Sequence, residues 1–120
     1  MDGVTHDPML DSMRHAIETR DSGGLSGFYA DDAVILVMDR DHPPSAPMRI
    51  SGRAEIDRFH ADLCGRDVTH AVETAVAAPS HLAFTERCTY PNGAQVFCSA
   101  MLDRSDGRIV RQVMVQVWDG

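Results

Sequence analysis

One histidine and two carboxyl-bearing segments carry most of the chemistry legible in this chain. His60 stands beside Ile56, Phe59 and Leu63, the apolar positions of a helical run. Its imidazole therefore lies on a half-apolar face and needs a hydrogen-bond partner. Imidazole is also the side chain best suited to proton transfer near neutrality. Glu86 alternates with Phe84, Cys88 and Tyr90, against Ala83, Thr85, Arg87 and Thr89. If the Glu86 face looks into an apolar interior, a carboxyl buried there is a general acid or base. If a β-bulge inverts the faces, Arg87 looks inward instead. The third segment, Asp39-Arg40-Asp41-His42, precedes two prolines. Acid–x–acid–His is ligand-like, but no further His or Cys stands at metal-ligand spacing, so no metal is expected and the segment reads as a lip over a pocket. His6, His70 and His81 show no partner pattern, and no Gly-rich phosphate loop, GxSxG or Ser/His/Asp arrangement is present. No cofactor is expected.

The elements that would hold these groups follow from periodicity. Asp7 as N-cap, Pro8 at the first turn and Leu10, Met13, Ala16 and Ile17 on one face predict a helix over 8–21. Ser22-Gly23-Gly24 stops it. A short helix over about 25–30 follows, closed by Asp31 and Asp32, and Val34–Met38 reads as a buried strand. The proline-rich stretch 39–47 is a loop. Beyond Ser51-Gly52-Arg53 lies the third helix, carrying His60, with Ser51 and Glu55 one position off a capping box. Strand-like runs at 69–77, 82–90, 94–102 and 108–118 complete the chain. Asn92-Gly93 suggests a type I′ hairpin turn. That turn would pair residue 88 with 97 and 86 with 99, putting Glu86, Cys88, Tyr90, Phe97 and Ser99 on one face. Cys88 and Cys98 would then lie on opposite faces, with no disulfide between them. Helices followed by an antiparallel meander make an α+β domain.

The last run alternates Gln112, Met114, Gln116 and Trp118 against Val113, Val115 and Val117, and neither face is a charged, solvated one. At 120 residues the chain makes one domain, 1–120, with 43% apolar and 24% charged residues. A net charge of −7 argues against nucleic acid or an anionic membrane as partner. Three cysteines without CxxC spacing, no long apolar run and no signal-like N-terminus point to a cytoplasmic setting.

Taken in order, Tyr29-Ala30-Asp31-Asp32-Ala33, a strand, a proline-rich loop, Ile50-Ser51-Gly52-Arg53-Ala54-Glu55-Ile56 with Phe59, and Gly107-Arg108-Ile109-Val110 resemble the nuclear transport factor 2-like superfamily. Within it the sequence is most similar to the small SnoaL-like polyketide cyclases and ketosteroid isomerases, over nearly the whole chain. The resemblance implies a cone: three N-terminal helices on a curved, mostly antiparallel sheet, an apolar pocket open at one end, and a homodimer with sheets back to back. It places Tyr29 and His60 in a hydrogen-bonded pocket network, with Tyr29 available as the partner of His60. It puts Gln112, Met114, Gln116 and Trp118 on the pocket side and the valines toward a partner subunit; Phe59, on the apolar face of the third helix, and Tyr90 and Phe97, on the Glu86 face, are the further expected ligand contacts.

Three departures weigh against steroid isomerisation as that family performs it. The oxyanion-hole tyrosine would fall near Ala16, the general base near Val37 with Asp39 the nearest carboxylate, and the second oxyanion donor near Cys98. The expected function is a cofactor-independent cyclisation, isomerisation or dehydration of an apolar, polyketide-like or polycyclic metabolite. His60, Tyr29, Glu86 and Asp39 would be its acid–base groups. A non-catalytic ligand-binding or assembly domain and an epoxide hydrolase are the alternatives.

Overall fold

The structure is a computed structural model and describes residues 7–119. Nine elements run in the order α1 (Pro8–Glu18), α2 (Ser22–Ser26), β1 (Tyr29–Met38), β2 (Met48–Ser51), α3 (Arg53–Gly65), β3 (Thr69–Ala78), β4 (His81–Thr89), β5 (Gln95–Ser105) and β6 (Arg108–Trp118). The strands form one sheet in the order β2-β1-β6-β5-β4-β3. Only the β1–β6 pairing is parallel. This is the α+β architecture expected. Register irregularities between Val72 and Thr74 and between Asp103 and Arg104 bend and twist the sheet into a curve.

Local chemistry sets the helix ends. Asp7 accepts from the Leu10 amide at 3.0 Å and caps α1, and its carboxylate is also clamped by both terminal nitrogens of Arg104 from β5. α1 ends three residues before Asp21 because Asp21 is itself a cap, accepting from the Gly24 amide at 3.0 Å. The short helix is therefore Ser22–Ser26, not 25–30. By Phe28 the backbone already belongs to the sheet, since its carbonyl accepts from Ile109 at 2.8 Å. Asp31 and Asp32 consequently do not close a helix. They are exposed residues of β1, where its pairing with β6 is interrupted between Tyr29 and Val34.

The short strand β2 is an addition to the sequence reading. It pairs antiparallel with β1, Val34 opposite Ser51 through Val37 opposite Met48. Four residues with only Ile50 buried carry too little alternation to stand out from a loop exit. Gly52, at φ 85°, turns this strand into α3, and Glu55 reaches back to the Ser51 amide at 3.0 Å.

The β4–β5 turn corrects the hairpin register. The Tyr90 amide donates to the Ala94 carbonyl and the Gly93 amide to the Tyr90 carbonyl, both at 2.9 Å, around the three-residue loop 91–93. Gly93 has φ 90°, whereas Asn92 is not among the residues with positive φ, so this is not the type I′ turn. Pro91 fits a type I turn followed by a left-handed glycine, which shifts the register by one residue. Glu86 now faces Cys98 and Cys88 faces Val96. Phe97 and Ser99 move to the outer face with Thr85 and Arg87, and Arg87 lies 5.3 Å over the Phe97 ring. Cys88 and Cys98 share the inner face, both as free thiols.

The helices cover the inner face. Met13, Ala16 and Ile17 of α1, Ile56 of α3 and Ile35, Val37, Leu82, Leu102 and Ile109 of the sheet make one buried cluster. α1 is tied to β3 at its bulge, where Arg14 donates to the Val72 carbonyl at 3.0 Å and Glu18 accepts from the Val72 amide at 2.9 Å. On the outer face, Val76, Met101, Val115 and Val117 are exposed. No helix among the described residues is long and apolar enough to cross a membrane.

Candidate active site

Between the helices and the inner sheet face lie two adjoining cavities that share Leu63, His70, Glu86 and Met114. The first, under α1–α3, adds Tyr29, Phe59, His60 and Gln112. The second, toward the β4–β5 end, adds Arg66, Cys88, Tyr90, Cys98, Gln116 and Trp118. Each occupies about 430 Å³ counted with its solvent-facing mouth.

At the divide stands a group assembled by sheet register. His70 lies opposite Cys88 and Val72 opposite Glu86, so all three polar side chains project inward from β3 and β4. His70 Nδ1 is 2.6 Å from Glu86 Oε1 and 3.3 Å from Cys88 Sγ, and the Cys88 thiol donates to Glu86 Oε1 at 3.4 Å. The His70 and Glu86 side chains are 2% and 7% exposed, so solvent screens the pair little. The Cys88 sulfur and the Glu86 carboxylate together raise His70 from 6.5 to about 9, against the effect of burial. His70 therefore carries a proton at neutral pH. The Cys88 thiol is pushed well above its ordinary value by its contact with Cys98 and by burial. The atoms of this trio lie within 4.8 Å of one another and are metal-ligand types.

His60 and Tyr29 also face the first cavity, but they do not bond to each other. His60 Nδ1 pairs with Ser26 Oγ at 2.7 Å. Tyr29 donates its hydroxyl proton to Gln112 Oε1 and meets His60 only through a tilted ring contact, centroids 4.9 Å apart and planes at 55°. Burial lowers His60 from 6.5 to about 4, so it is neutral at pH 7. Burial also raises the Tyr29 hydroxyl, which stays protonated. Arg53 secures this corner from outside by donating to the carbonyls of Ser26 and Tyr29.

The other residues expected at the site divide. Glu86 faces inward while Arg87 faces outward and pairs with Glu73 at 3.0 Å, which settles the alternative left open by alternation. Phe59 and Gln112 line the first cavity, Tyr90, Gln116 and Trp118 the second, and Met114 both. Phe97 lines neither, because the one-residue register shift turned it outward. Asp39 also lines neither. It bonds His42 at 2.8 Å in the lip, where Arg40 lies 4.7 Å over the Trp118 ring. Sequence reasoning missed His70: its partner is sixteen residues away and depends on register. His81 likewise pairs with Asp103 at 3.0 Å, and His6 lies outside the described residues.

The sequence model of the SnoaL-like domain matches residues 10–112. The chain belongs to the SnoaL-like family. Its neighbours among solved structures share the nuclear transport factor 2-like fold. One is a Mesorhizobium loti nuclear transport factor 2-like protein of unknown function, 17% identical, covering 98% of each chain at a TM-score of 0.78. A Kribbella flavida protein named as a candidate ketosteroid isomerase is 18% identical over 94% of this chain and 76% of its own, at 0.72. A Sinorhizobium meliloti protein named as a candidate polyketide cyclase is 20% identical over 91% and 94%, at 0.67. None of the curated proteins matches this sequence. In this SnoaL-like chain the groups at Ala16, Val37 and Cys98 are apolar or thiol side chains, all buried.

Proposed function

We propose that this SnoaL-like protein is a cofactor-independent acid–base enzyme, moving a proton on an apolar metabolite bound between the helices and the sheet. The observation that carries this reading is the His70–Glu86 pair at 2.6 Å, sealed from solvent yet lining both cavities. A charged pair costs free energy to bury and is seldom kept for stability alone. The carboxylate of Glu86 accepts a proton from a substrate carbon, the C–H electron pair stays with the substrate, and protonated His70 returns a proton elsewhere on it. Cyclisation, isomerisation and dehydration all contain such a step. His60 and Tyr29, satisfied by Ser26 and Gln112, shape the first cavity beside this pair. Epoxide hydrolysis is not supported, because Asp39 and Asp41 belong to the lip and line neither cavity.

The reading is tested without knowing the substrate. The protein is incubated in deuterium oxide with a panel of small carbon acids, cyclohexanone, nitroethane and ethyl acetoacetate, and exchange is followed by proton NMR. Exchange faster than buffer that is lost in Glu86→Gln supports it. Equal rates for the native chain, the variant and buffer reject it and leave a ligand-binding domain.

The outer sheet face supports a second part of the proposal, a homodimer. Val76, Ala83, Met101 and Val113 form one cross-strand row over β3, β4, β5 and β6, and Val115 and Val117 extend it. An exposed apolar face of this kind marks an interaction surface.

A further inference from the structure

Two buried side-chain polar atoms among the described residues have no hydrogen-bond partner: His70 Nε2 and Trp118 Nε1. Both residues line the second cavity. They end the same inward-facing cross-strand row, His70–Cys88–Val96–Trp118, so they stand on opposite walls of the hollow with two strands between them. An indole nitrogen only donates. The imidazole donates at Nε2 when the ring holds both protons, the state favoured by the Glu86 carboxylate 2.6 Å from Nδ1. A buried donor left unpaired is costly, and two such donors facing one cavity are uncommon. The walls between them, Val96, Cys98 and Met114, offer apolar contact.

We propose that the ligand is an apolar molecule bearing two oxygen acceptors at opposite ends, a diketone-like compound, one oxygen accepting from Trp118 Nε1 and the other from His70 Nε2. This rests on the cavity being the substrate site but requires no turnover. It adds to the acid–base reading a place for the substrate. The oxygen beside His70 lies next to the group that gives the proton, and the oxygen beside Trp118 fixes the far end.

The test compares three ligands of one ring size: 1,4-cyclohexanedione, cyclohexanone and methylenecyclohexane, with two, one and no oxygen acceptors. The chain has a single tryptophan, so its indole N–H gives one resonance in the nitrogen-15 spectrum. The expected result is that the dione moves both the indole N–H and the His70 Nε2 signals. The alkene should shift only methyl signals of Met114 and Val96. Affinity should rise roughly threefold to tenfold for each oxygen gained. Trp118→Phe should lower dione affinity toward that of the monoketone, and by more than it lowers methylenecyclohexane affinity. If all three ligands bind alike with the indole signal unmoved, or if a bound water already holds the indole proton and the dione does not displace it, the proposal is overturned. The ligand series in the native chain decides the matter even if the variant fails to fold. Dione binding without deuterium exchange would keep this inference and reject the acid–base reading. Exchange without oxygen discrimination would do the reverse.

Discussion

Glu86→Gln leaves an oxygen for the His70 Nδ1 proton but removes the charge. In the native chain Cys88 and Glu86 raise His70 from 6.5 to about 9. One pKa unit corresponds to about 1.4 kcal/mol of preference for the charged form, so these surroundings favour imidazolium by roughly 3 kcal/mol. The folded chain thus keeps a proton that the unfolded chain releases above its ordinary imidazole value. The stabilisation is whole below pH 6.5, falls by about 1.4 kcal/mol per pH unit as pH rises, and is gone above about 9. Without the carboxylate, the Cys88 sulfur alone works against burial, and His70 titrates lower. Urea denaturation of the variant should show a loss near pH 7 of at most about 2–3 kcal/mol, the part of the His70 stabilisation that Glu86 supplies, closing to little by about pH 10. Carbon-13 NMR of the His70 ring should show its midpoint falling from about 9. A deficit that stays constant from pH 6 to 10, with the His70 midpoint unmoved, would refute the electrostatic account and leave lost packing as the cause.

Ser26→Ala strands His60 Nδ1 in the interior and should cost about 1–3 kcal/mol in thermal or urea denaturation. His60 itself makes the opposite pH prediction. Its folded value is lowered to about 4, so its contribution is present above 6.5 and is lost as pH falls toward 4, roughly 3 kcal/mol in all. His60→Gln should remove that part of the acid-side slope. Arg104→Met breaks the clamp on the α1 cap. Arg104 holds Asp7 below the usual carboxylate value, so the loss, about 1–3 kcal/mol at pH 7, should shrink as pH drops below about 4. Met101→Lys combined with Val117→Lys should convert the proposed dimer to monomer in light scattering, with the circular dichroism spectrum preserved.

Most of the fold was legible because its signals are local. Asp7 and Pro8 open α1, the third helix shows its apolar face, and four alternating runs give the meander, all within short windows of sequence. What escaped was decided by competition or by distance. Asp21 could end one helix or begin the next, and its bond to Gly24 chose the second. Asn-Gly is a strong I′ signal, but a proline before it favours a type I turn with glycine third, and that one residue exchanged the faces of Phe97 and Cys98. The candidate site suffered most from this. Glu86 was legible as a carboxyl on an apolar face. His70 was not, since only the β3–β4 register, with its bulge after Val72, puts its ring on Glu86.

The two imidazoles at the first cavity show why register matters more to function here than residue type. His60 and His70 have the same ordinary value and both are buried, yet one is lowered to about 4 and the other raised to about 9. The difference is the partner: a serine hydroxyl leaves burial in control, whereas a thiol and a carboxylate overcome it. At neutral pH His60 holds no surplus proton to give and is a weak base, while His70 can only donate. A step that removes a proton from carbon therefore falls to Glu86, the one carboxylate among the described residues that lines either cavity. Environments that push like groups apart assign the acid and the base. Exchanging the partners should exchange the roles. A carboxylate at position 26, Ser26→Asp, would set a negative charge beside His60 Nδ1 and raise its midpoint toward or above 6.5, which NMR titration reads directly. If His60 stayed near 4 beside that carboxylate, burial alone would govern both rings, and the division of labour between them would have no basis.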